Sequence, residues 1–165
     1  MAIMQMPNKF TELEACYGQL VSWCDLLEAI ADFLPCHVDE RLCDTVTGGL
    51  IPLLQATHGL EEHVVSASLH AIMPDHDRVE AENRRSTERL FDMDAAQEVV
   101  DVLLALKNGD CRLSWDAIGY LLRSFFCLMR RRIKAEREIV GQIRKALARH
   151  EGMTVLDAQR ATEIV

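Results

Sequence analysis

From Phe10 to Phe33 the chain sets a mostly apolar side chain at every third or fourth position: Phe10, Leu13, Tyr17, Leu20, Cys24, Leu27, Ile30 and Phe33. That period is one face of an α-helix, whereas a half-buried strand would alternate. Three further stretches repeat it. Ile51, Leu54, His58, Glu62, Val65, Leu69 and Ile72 make a second stripe, and Val79, Asn83, Ser86, Leu90, Gln97, Val100 and Leu104 a third. Ile118, Leu122, Phe125, Met129, Arg132, Glu136, Ile139 and Ile143 make a fourth. Aromatic residues are only 5% of the chain, so a sheet has little to be built from. The class is all-α, and four long helices with short connections predict an up-down-up-down four-helix bundle.

A length of 165 residues suits a single domain, 1–165, with its core over 9–145 and a C-terminal appendage at 152–165. The first helix is expected over about 9–34, after a leader ending at Pro7, with Thr11 and Glu14 as a capping box and Pro35 as the stop. The second should begin near Asp39, kink at Pro52 and continue to about Ile72. Asp75 is the expected cap of the third, which runs to about Leu106 before the turn Asn108-Gly109-Asp110. Its charged face, Arg78, Glu80, Arg84, Arg85, Glu88 and Arg89, reads as solvated. Ser114 caps the fourth, and Val155, Leu156, Ala158, Ala161 and Ile164 predict a separate short C-terminal helix that closes the bundle or meets another copy.

A net charge of −8 argues against a general nucleic-acid or acidic-membrane binder, because both need a basic surface. The basic run Arg130-Arg-Arg-Ile-Lys134, continued by Arg137, Arg144, Lys145 and Arg149, is either a solvated face or one turned to an acidic partner. The six cysteines, Cys16, Cys24, Cys36, Cys43, Cys111 and Cys127, form no CxxC pair and mostly occupy apolar positions, which predicts reduced thiols. With no secretory pattern at Met1–Pro7 and no uncharged run of membrane-spanning length, the expected location is the cytoplasm.

The inner stripes carry polar residues from all four helices: Tyr17, His58, Glu62, Asn83, Arg132 and Glu136. Buried polar groups need partners, so such a set implies a network or a cofactor. His58 and Glu62, four residues apart, can chelate one metal or hydrogen-bond to each other. Tyr17 alone reads as a core aromatic with a satisfied hydroxyl.

Over residues 9–145 the chain resembles the hemerythrin-like, or HHE cation-binding, family. His58-Gly-Leu-Glu-Glu62 matches that family's second-helix His-x-x-x-Glu. Arg132-Ile-Lys-Ala-Glu136 matches the fourth-helix motif at its Glu, with Arg in place of His, while Tyr17 and Asn83 stand where the first- and third-helix histidines are expected. The resemblance implies a bundle that in family members holds two bridged irons and binds oxygen or responds to redox state. An arginine at the metal level is always protonated and repels a dication. The centre is therefore expected to be a metal-free remnant in which Arg132 pairs with Glu62 and Glu136 and Tyr17, Asn83 and His58 complete the hydrogen bonds.

The function expected is that of a non-enzymatic cytoplasmic binding or signalling protein without a cofactor, acting through a protein partner or self-association and not through nucleic acid or membrane. The alternative keeps iron on His58, Glu62 and Glu136, helped by Tyr17 or His63, as an oxygen or redox sensor. Histidine phosphotransfer ranks last, since it needs an exposed histidine and His58 falls on a buried stripe. No nucleophile elbow, phosphate loop or thiolate zinc pattern marks an enzyme.

Overall fold

The computed structural model describes residues 2–162, with side chains over 8–154. Every regular element among them is helical: α1 (Ala2–Phe33), α2 (Glu40–Leu60), α3 (Asp75–Asn108) and α4 (Trp115–Thr162). Between α2 and α3 the chain winds as a π-helical turn, Glu61–Ser66, and a 3₁₀ turn, Leu69–Ala71.

Paired residues give the directions. Trp23 lies against Gly49 and Tyr17 against Glu61, so α1 and α2 are antiparallel. Asp44 with Lys107 and Glu62 with Arg89 set α2 against α3 in the same way, as do Arg85 with Glu136 and Asp92 with Arg132 for α3 and α4. Glu14 with Arg137 and Asp32 with Arg123 close the ring between α1 and α4. The result is the up-down-up-down bundle.

Its core is aliphatic, with Leu13, Leu20, Leu27, Leu50, Leu54, Leu103, Ile118, Leu122 and Ile143 fully buried. Gly49 is required by this packing, because a Cβ there would come within 2.5 Å of the Trp23 ring. The stripe of α1 is buried as read, except for Phe33 at its exposed end. That of α4 holds through Ile118, Leu122, Phe125, Met129, Glu136 and Ile143.

Several boundaries differ from expectation. α1 starts at Ala2 and includes Pro7, because Ala, Met and Gln extend a helix readily upstream of residue 9. α2 runs through Pro52, and its irregularity comes later, in the π turn. Pro74, not Asp75, precedes α3, whose C-terminus is closed by Gly109 at φ 73, a left-handed conformation that favours glycine. The expected separate helix at 152–165 is instead the end of α4, which continues through Gly152 to Thr162. Val155, Leu156, Ala158, Ala161 and Ile164 have side chains outside the described residues.

The largest correction concerns α3. Val79, Asn83, Ser86, Leu90, Gln97 and Leu104 face water, and the buried face is Ala81, Arg85, Arg89, Asp92, Ala96, Val99, Val102 and Leu103, with Val100 the one residue shared. A third of that face is charged, Arg85, Arg89 and Asp92, so hydrophobicity pointed to the wrong side.

All six cysteines are free. Burial pushes the Cys24 thiol up to about 12, and Cys36 and Cys127 are exposed. A thiol reagent should therefore modify Cys36 and Cys127 first in the native protein and reach all six only after denaturation without reductant. Fewer than six in the denatured protein would mean a disulfide.

Candidate functional site: a buried ion-pair network

The centre of the bundle is charged. Glu61, 1% exposed, accepts a hydrogen bond from the Tyr17 hydroxyl at 3.0 Å and another from the Arg132 guanidinium at 2.9 Å. Arg132 Nε lies 2.5 Å from Asp92 Oδ2, and its Nη1 reaches Glu88 at 3.3 Å. His58 Nε2 sits 3.4 Å from the same Asp92 oxygen. On the next level Arg85 Nη1 donates to both oxygens of Glu136, at 2.7 and 2.8 Å, with each side chain only 4% exposed. Glu136 also acts electrostatically on Tyr17 and Glu61, so the two levels form one network.

A neighbouring cluster closes the side toward the π turn. Arg89 bonds Glu82 at 2.9 Å and Ser86 at 3.1 Å, and reaches Glu62 at 3.5 Å. Burial works against the Glu82 charge, but hydrogen bonds from Ser66 and Arg89 prevail and hold its carboxyl below the usual range.

The charge balance explains the central proton affinities. Three carboxylates, Glu61, Asp92 and Glu136, face two guanidiniums, Arg85 and Arg132, with the His58 imidazole beside Asp92. Burial, only partly offset by Arg132 and reinforced by Glu136, raises the Glu61 carboxyl above its ordinary value. Burial opposes the charge of Arg132, yet Glu61, Asp92 and Glu136 outweigh it and raise that group too. Burial, then the Glu61 charge, pushes the Tyr17 hydroxyl up, so it remains a hydrogen-bond donor.

Of the residues read from the sequence as central, Tyr17, His58, Arg132 and Glu136 are brought together. Glu62 and Asn83 are not. The inward line of α2 passes through Leu50, Leu54, Thr57, Glu61 and Val64, one residue off the expected stripe, so Glu61 takes the central place and the Glu62 side chain is 62% exposed. The π turn loosens the helix there and allows both Val64 and Val65 to bury. Asn83 faces water, and its backbone carbonyl accepts a hydrogen bond from the Thr87 hydroxyl. Glu61, Arg85 and Asp92 were missed. The doubled acid Glu61-Glu62 was the only signal for the first, and nothing apolar marked the other two.

The donor set does not fit a bridged pair of irons. The carboxylates that would bridge or cap a metal, Glu61 and Glu136, are engaged by guanidiniums, and His58 is the one imidazole at the centre. Glu62 is turned away from His58 and Glu136, so the three-residue ligand set is not assembled. Among the described residues no group of three or more His, Cys, Asp or Glu side chains is arranged to hold a metal ion. His63, at the surface, bonds the Gly59 carbonyl.

Beside the network α3 and α4 part. A groove of about 760 Å³ runs between them, floored by Phe91, Ala95, Leu128 and Ala135, and Asp92, Arg132 and Glu136 show at its bottom. A second hollow of about 450 Å³ continues it past Leu121, Phe125 and Tyr120. No helix among the described residues is long and apolar enough to cross a membrane.

A scan against protein-family models finds no match, and searches of curated proteins and of solved structures likewise find none.

Proposed function

We propose that the chain is a hemerythrin-like bundle whose metal centre has been replaced by ion pairs, and that it serves as a non-enzymatic binding or signalling protein of the cytoplasm. The observation that carries this reading is the placement of two guanidiniums on the central carboxylates, Arg132 on Glu61 and Arg85 on Glu136. Each supplies the positive charge that a cation would bring to those oxygens, and each repels a second cation. A core whose carboxylates are taken by guanidiniums in this way offers no open coordination position. Tyr17 donates to Glu61, and burial together with that carboxylate's charge holds the proton on its hydroxyl. What the bundle does offer is surface, above all the apolar groove between α3 and α4.

Iron content tests the metal-free reading. Protein purified from iron-supplemented culture should contain well below one iron per chain and show no visible absorption band, before and after air exposure. Stoichiometric iron with a band that changes on oxidation would replace this reading by that of an oxygen or redox sensor.

A further inference from the structure

Phe33 and Met153 aside, the exposed large hydrophobic side chains among the described residues all belong to α3, α4 or the turn between them: Val79, Leu90, Phe91, Leu104, Leu113, Trp115, Tyr120 and Leu128. Phe91 is 64% exposed and Tyr120 75%, far more than a monomer gains from leaving them in water. Four of them, Phe91, Leu113, Tyr120 and Leu128, line one groove. From Ala117 to Ala135 it follows α4 for about 27 Å, roughly five turns, and two helices side by side make it about 20 Å wide. Faces of that size build interfaces of roughly 1,000 Å² and above. Ala95, in both hollows, leaves the middle of the floor low enough for another helix to approach.

The charges around the groove decide what covers it. Asp94 and Glu98 line the α3 wall and Arg131 the α4 wall. Lys134, one turn beyond Arg131, is exposed on the same helix. Among the described residues none of these four has an oppositely charged partner, whereas their neighbours on α4 do: Arg130 binds Asp25 and Glu28, Arg132 binds Glu61, and Arg137 binds Glu14. The wall charges face each other across the opening without meeting. A two-fold axis parallel to the helices would set α3 of one copy over α4 of the other, antiparallel, and bring each acidic wall onto a basic one twice over. An acidic or a basic partner would satisfy only one wall.

We propose that the α3–α4 groove is the interface of a homodimer of this chain, closed by Phe91, Ala95 and Leu128 at its centre and by Asp94 and Glu98 against Arg131 and Lys134 at its rim. The metal content of the core does not enter, so this proposal and the metal-free reading fail separately. Light scattering and sedimentation of the full chain over a range of concentrations should give twice the chain mass. Ala95→Arg and Leu128→Glu change side chains that line the groove, so they should leave helical content and melting intact while weakening the dimer roughly tenfold or more. Asp94→Arg and Arg131→Asp should each weaken it, and the two together should restore it, because the swap preserves the charge pairing. A monomer at every concentration overturns the proposal, including the case in which the groove then binds another protein's helix. So does a dimer that the folded groove variants leave unchanged, since its interface must lie elsewhere.

Discussion

Arg132→Ala is expected to cost about 3–5 kcal/mol of stability at neutral pH, the range for removing one partner from a buried charge network. The guanidinium contacts Glu61 and Asp92 at once, and both carboxylates are almost wholly buried. Without it they face each other with Arg85 as the remaining permanent cation of the centre. The loss should depend on pH in a definite direction. Glu61 is already raised above its ordinary value by burial, and Arg132 is the largest influence lowering it, so the variant raises it further. Above that folded-state value both the folded and the unfolded chain carry the charge, and the penalty is complete. Between it and the ordinary carboxylate range, the folded protein keeps a proton that the unfolded chain has released, so stability rises as pH falls. The gap between variant and parent should accordingly narrow through mildly acidic pH and be smallest near the ordinary carboxylate pKa. Denaturant unfolding of both proteins across that range measures it, and a gap independent of pH would mean that Glu61 is not the group left uncompensated.

The four long helices, their order and their direction were legible because three of the four stripes are mainly apolar and the turns are punctuated by proline and glycine, whereas the separate helix expected at 152–165 is the end of α4. The centre was legible only in part. Tyr17, Arg132 and Glu136 lie on helices whose register long apolar runs define, and all three are central. A regular helix spaces His58 and Glu62 on one face and so points to Glu62, whereas the inward face follows Thr57 and Glu61. Asn83 shares its apolar stripe with Val79 and Leu90, and both of those are exposed. The side of α3 that packs inward holds Arg85, Arg89 and Asp92, whose burial is favoured by partners on other helices. Sequence periodicity registers hydrophobicity and not pairing, so a face built from matched charges reads as surface. The same blindness hid the groove, since Phe91 and Leu128 look like ordinary members of amphipathic helices until the gap between α3 and α4 is seen.

The pair Arg85 and Glu136 separates what a buried ion pair costs from what breaking it costs. Arg85→Met should destabilise the protein by about 3–5 kcal/mol, because it strands the Glu136 carboxylate, 4% exposed, without its cation. Glu136→Leu alone should do comparable damage by stranding Arg85. The double variant should recover most of the loss and end about level with the parent or above it. Three observations favour that recovery. Arg85 Nε and Nη2 have no hydrogen-bond partner among the described residues, so the parent already bears an unmatched desolvation cost. Met and Leu approximate the volumes they replace and meet a core rich in leucine and isoleucine. Removing Glu136 also removes a charge that raises Glu61, which eases the remaining network. Denaturant midpoints for the parent, the two single variants and the double variant give the coupling directly. If the double variant is as unstable as the sum of the singles, the two side chains do not act as a pair.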